Sequence, residues 1–161
     1  MHLIYRSAAL AAATFSLLVL AACDPQRISE LKEGVSTEAD VRDRFGAPEN
    51  VWDEPGGART FEYNRQPAGQ VNYMITIGSD GRMTALRQVL TPETFARVSP
   101  GMRMDEVRRL LGKPAKVTPY ELKKETWADW RYLEAPNQSK VFTVVYGPCL
   151  LYTSDAADEE D

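Results

Sequence analysis

The residues best suited to acid–base work are four carboxylates in two short stretches: Asp40 and Asp43, then Asp105 and Glu106. On helices such groups could pair as acid and base. More often they form a solvated face, and acids in a first turn favour the helix dipole. What they lack here is a partner. The single histidine, His2, stands at the extreme N-terminus, inside a stretch that reads as an export signal. A mature chain without histidine has no Ser-His-Asp triad, no Cys-His pair and no histidine-based metal site. Gly56-Gly57 is not followed by the Lys-Ser/Thr of a phosphate-binding loop. No catalytic residue, metal ligand or cofactor is therefore expected, and the chain reads as a non-enzyme.

The aromatic residues are better candidates for contact. Trp52, Tyr63, Tyr73, Tyr120, Trp127 and Trp130 crowd the segments that read as strands. Alternating aromatics commonly cover the buried face of an antiparallel sheet, which is the expectation for Phe61, Tyr73, Trp130 and Phe142. Trp and Tyr are also frequent interface anchors. Trp52, Tyr120 and Trp127 lie near turns and are the candidate partner contacts.

The elements that must position these residues repeat along the chain. Gly34 to Pro48 reads GVSTEADVRDRFGAP, and Gly101 to Pro114 reads GMRMDEVRRLLGKP. Val41, Gly46 and Pro48 have the same spacing as Val107, Gly112 and Pro114. Each copy predicts a short amphipathic helix that leaves through a left-handed glycine and is stopped by proline. Thr37 is the expected N-cap of the first, with Asp40 three residues on. Arg103 holds that place in the second, so the capping hydroxyl is missing, a loss of about 1 kcal/mol. After each helix come alternating strands. Phe61 and Tyr63, then Val71 to Ile77, then a Ser79-Asp80-Gly81 hairpin and a weaker return from Met83 to Leu90 make up the first set. Asn50 to Trp52 adds a short edge piece. Trp130 and Tyr132, then Phe142, Val144 and Tyr146, make up the second.

The fold class predicted is α+β: two tandem modules, each two short helices followed by a three-stranded or slightly larger antiparallel sheet. The first covers 28–90, with Ile28 and Leu31 in its opening helix. The second covers 91–148, its last strand missing. Residues 1–22 form the export signal: Arg6, an apolar run from Ala8 to Leu20, then small residues at a cleavage site between Ala22 and Cys23. The apolar run is too short to span a bilayer. Residues 23–27 are a tether.

Leu20-Ala21-Ala22-Cys23 resembles a bacterial lipobox, which implies that Cys23 is the site of lipid attachment. Several acyl chains would hold the protein on a membrane. Cys149 to Asp161 resembles translated sequencing-adapter read-through, so 149–161 is expected to be an artefactual, disordered tail and the natural sequence to end at Pro148. The net charge of −4 falls to −5 without Arg6 and rises to 0 without the five acids of that tail. Neither an acidic nor a basic partner follows, and nucleic acid is not expected.

With the lipobox, Leu31-Lys32-Glu33-Gly34 and the helix through Pro48, followed by aromatic strands and an Asp-Gly hairpin, resemble the SmpA/OmlA (BamE-like) lipoproteins in a tandem-module form. The tandem helix-and-sheet unit is also similar in fold to the β-lactamase inhibitor protein. The first resemblance implies a lipid-anchored, periplasm-facing scaffold of the outer membrane. Its partners would be envelope proteins of the β-barrel assembly machinery. The second implies a periplasmic protein-binding, inhibitor-like module. Asp24, directly after the lipidated cysteine, resembles an inner-membrane retention signal and keeps that membrane open as the alternative.

Overall fold

The computed structural model describes residues 28–147 and, for the backbone alone, 151–157. The export signal, Ala22, Cys23 and Asp24 lie outside the described residues. The chain divides into two compact units, Met1–Leu31 and Lys32–Asp161. The described part of the first is one turn, in which the Leu31 N–H donates to the Ile28 carbonyl at 3.1 Å.

Among the described residues the second unit holds two four-stranded antiparallel sheets and three α-helices, an α+β fold. Helix α1 is Glu38–Phe45, followed by β1 (Asn50–Asp53), β2 (Arg59–Asn64), β3 (Asn72–Ile77) and β4 (Met83–Gln88). These strands pair in sequence order. Helix α2 is Pro92–Phe95 and α3 is Met104–Leu111. Then come β5 (Lys116–Tyr120), β6 (Glu125–Glu134), β7 (Gln138–Tyr146) and β8 (Leu151–Ala157), again paired in order.

The capping box at α1 forms as predicted. The Thr37 hydroxyl accepts the Asp40 N–H at 3.3 Å, and the Asp40 carboxylate accepts the Thr37 N–H at 2.7 Å. At α3 only the return half exists, with the Arg103 N–H donating to Glu106 at 2.6 Å. The β3–β4 hairpin turns through Gly81 at φ +78°, and Asp80 accepts the Arg82 N–H at 3.0 Å.

Three expectations are corrected. The second sheet has a leading strand, β5, which Pro119 made hard to read; proline is tolerated there because β5 is an edge strand. The backbone of Leu151–Ala157 pairs with β7, so a strand stands where the last one was expected to be missing and the tail was expected to be disordered. Most consequential, the first sheet is not buried on one face only. Phe61, Tyr63, Ile75 and Ile77 face the side of α1, where Val41 and Phe45 are also buried. On the opposite face Glu62, Asn72 and Met74 are buried too.

The reason is α3. Its Val107 and Leu111 join Met74, Val89 and Leu90 of the first sheet region and Ala128, Trp130, Tyr132 and Val144 of the second sheet in one apolar core. The helix is buried between two sheets rather than on one. Trp130 and Phe61 are fully buried as expected, whereas Tyr73 and Phe142 are half-buried. Phe142 stacks on Phe95 with ring centroids 4.3 Å apart.

Candidate functional site

The Tyr120 and Trp127 side chains are brought together by strand register. Thr118 lies opposite Trp127 and Tyr120 opposite Glu125, so both aromatics share the outer face of the second sheet. Their ring centroids are 4.8 Å apart, tilted by 51°. The turn from Glu121 to Lys124 closes over them. Lys123 places its ammonium 5.3 Å from the Trp127 ring and 5.8 Å from the Tyr120 ring, within cation–π range. Glu125 accepts the Trp127 indole N–H at 2.9 Å. Tyr120 is 39% exposed, and Leu122 at the tip is fully exposed. Val117 is also exposed on β5, but it pairs with Ala128 and so belongs to the opposite face of the sheet. An apolar cluster stiffened by its own hydrogen bond and cation, yet open to water, suits contact with another macromolecule.

Trp52 does not join them. It sits on β1, on the first-sheet face turned to α3, with the Arg109 guanidinium 4.6 Å from its ring centroid. It is half-buried, and its indole N–H is buried with no acceptor. Of the three candidate contacts, two form one patch and the third belongs to the joint between the first sheet and α3.

That joint is the polar centre the sequence did not reveal. Glu62 is fully buried, and its carboxylate accepts from Arg108 (3.2 and 3.3 Å), Asn64 (2.8 Å) and the Lys113 N–H (2.9 Å). Buried Asn72 donates to the carbonyls of Leu111 (2.8 Å) and Lys113 (3.1 Å) and accepts the Arg65 N–H (3.2 Å). One side chain of the first sheet thus closes the Leu111 carbonyl at the C-terminus of α3 and the Lys113 carbonyl just beyond it. Lys113 also reaches Glu49 at 2.6 Å. Burial pushes the Glu49 carboxyl up, but hydrogen bonds from Lys113 and Asn64 and the charges of Lys113 and Arg108 outweigh it and hold it below the usual range. Further out, the Gln66 side-chain amide donates to the Arg131 carbonyl at 2.7 Å and accepts its N–H at 3.3 Å. The available signal was Glu62 between Phe61 and Tyr63: a charge opposite a buried face reads as solvated until a helix covers it.

The helix carboxylates do not assemble into a catalytic group. Asp40 is spent on its cap and Asp105 pairs with Arg103 at 2.9 Å. Among the described residues no cluster of His, Cys, Asp or Glu could hold a metal ion, and no helix is long and apolar enough to cross a membrane.

No family model matches the chain, and no curated protein matches it. Two solved structures are similar to it. One is a DUF4309 family protein (YjgB) from Bacillus subtilis, at 21% identity over 81% of this chain and 86% of that one, with a TM-score of 0.33. The other is described as a candidate beta-lactamase inhibitor protein from Streptococcus mutans. It is 12% identical over 86% of this chain and 100% of its own, with a TM-score of 0.36. Neither is described as a SmpA/OmlA protein, so that resemblance rests on the sequence motifs alone. Overlaps of this size carry no functional argument.

Proposed function

We propose that this chain is a non-enzymatic, protein-binding module of the cell envelope: a periplasmic inhibitor-like module of the β-lactamase inhibitor protein type. The observation that carries the reading is the Tyr120–Trp127 pair, 4.8 Å apart on an outer sheet face beside fully exposed Leu122. Rigid amphipathic rings give large contact area at little entropic cost and are typical interface anchors. In this reading 28–90 and 91–148 are two copies of one module. The second presents the contact face and the first buttresses it through the Glu62–Arg108 joint. Residues 1–22 export the chain and Cys23 carries its lipid. No cofactor takes part.

A second reading, a scaffold assisting outer-membrane β-barrel assembly, is favoured by the lipobox at Leu20 to Cys23. Crosslinked capture from membranes, paired with inhibition assays against envelope hydrolases including β-lactamase, separates the two. Inhibition without assembly components supports the first; recovery of assembly components supports the second. In either case Tyr120→Ala with Trp127→Ala should abolish capture with little change in denaturation midpoint, because these rings lie outside the cores. Undiminished capture by the double variant would remove this face from the binding surface.

A further inference from the structure

The face of the first sheet that meets α3 is only partly sealed. Over Glu62 and Asn72 the helix exit covers it. Toward Thr60 and Thr76 a cleft of about 620 Å³ remains, within the size range of small-ligand sites. The two threonine hydroxyls, 3.2 Å apart, form its floor. Its walls come from elements far apart in sequence: Arg87 from β4, Thr94 and Arg97 from and just after α2, and Arg109 from α3.

The charge of this cleft is unbalanced. Three guanidinium groups face one lining carboxylate, Glu54, leaving a surplus of two positive charges. Other arginines have carboxylate partners: Arg42 and Arg59 share Glu38, Arg103 pairs with Asp105 and Arg108 with Glu62. Arg87, Arg97 and Arg109 have no carboxylate partner among the described residues. Gathering like charges around one concavity is unfavourable unless an anion enters. Guanidinium forks match the oxygens of phosphate bidentately, and hydroxyls supply further donors. A double positive surplus suits a polyvalent phosphate better than a single carboxylate.

We propose that this cleft binds a phosphate-bearing anion, held by Arg87, Arg97 and Arg109 with hydroxyl donors from Thr60, Thr76 and Thr94. The phosphate is that of a free small ligand or of a lipid headgroup. The site is separate from the Tyr120–Trp127 face, so each can fail without the other.

The test is calorimetric titration of the full chain with pyrophosphate at low ionic strength. Trp52 adds an optical report, since it pairs with Thr60 in register and stacks beneath Arg109. The expected result is saturable binding at one site, weakened about tenfold or more by Arg109→Gln and by Arg87→Gln with Arg97→Gln, the scale of a lost charge-assisted bond. All three arginines are exposed, so these variants should keep their denaturation midpoints. Arg131→Gln, an exposed arginine on the second sheet, should leave affinity unchanged. Competition by phosphatidylglycerol vesicles, absent with phosphatidylcholine alone, assigns the headgroup as source; no competition assigns a free ligand. Absence of saturable heat, or equal weakening by Arg131→Gln, overturns the proposal, because attraction would then be absent or diffuse.

Discussion

The two helix exits carry the same Gly-x-Pro signal and end in different surroundings. At α1, Gly46 has φ +82°, its N–H returns to the Arg42 carbonyl at 2.8 Å, and its own carbonyl accepts the Tyr63 hydroxyl at 3.1 Å. At α3, Gly112 has φ +76°, its N–H returns to Arg108 at 2.8 Å, and its carbonyl accepts the Trp130 indole N–H at 3.0 Å. Locally they are near copies. A Cβ on Gly46 would meet nothing within 4 Å, whereas one on Gly112 would lie 2.6 Å from the Asn64 oxygen and 2.9 Å from the Asn72 nitrogen. The first glycine serves backbone conformation alone. The second also lets two sheets close on one helix end. Identical local grammar can therefore carry different tertiary weight, and burial decides which copy matters more.

The sharpest way to break this comparison is a paired substitution. Both glycines hold dihedrals that side chains rarely adopt, so Gly46→Ala should cost about 1–3 kcal/mol in strain. Gly112→Ala should add about 1–3 kcal/mol of overpacking against Asn64 and Asn72. Equal midpoint shifts in urea would show that the α3 exit has room the geometry denies.

The ion pairs give the next contrast. Arg42 with Glu38 at 2.8 Å is a partly exposed i,i+4 pair, and Arg42→Ala should cost under about 1 kcal/mol. Arg108→Ala strands a fully buried Glu62. Losing one partner of a buried pair costs about 3–5 kcal/mol, and the 35% exposure of Arg108 lowers the expected figure to about 2–3 kcal/mol. Arg108→Ala with Glu62→Gln should recover part of the loss; no recovery would assign Arg108 a packing role only.

The smallest expected effect is in pH. The Glu49 carboxyl is depressed in the folded chain relative to its ordinary value of 4.5. Its contribution is therefore present above that value and is lost as pH falls through the lower folded value. Glu49→Gln should flatten the acid side of the stability curve by a few tenths to about 1 kcal/mol, as for a largely solvated pair. An unchanged slope would mean that Lys113 is held by something other than Glu49.

How much of this was legible follows from where each signal resides. Caps, stops and hairpins are written within a few residues, so Thr37, Gly46 and Ser79 to Gly81 could be read directly. The alternation of Phe61 and Tyr63, and of Ile75 and Ile77, named one buried face correctly. It could not name the other, since Glu62 and Asn72 are buried by a helix some forty residues away, and no period of 2 encodes that. Tyr120 and Trp127 were singled out as neighbours of turns, but their pairing needed the β5–β6 register, and Pro119 obscured β5. Trp52 looked equivalent to them because proximity to a turn says nothing of which face a strand presents. The cleft arginines carry no shared spacing at all.

The Gln66 side chain has a consequence for the chain in company. β6 runs on to Glu134, but β5 covers it only as far as Asp129. At Arg131 the first backbone groups past that cover are occupied by the Gln66 amide, which imitates a strand residue on both bonds. An open strand end is a template on which a second molecule can build. By filling it from within, one glutamine helps keep one copy from adding to the next as a growing ribbon.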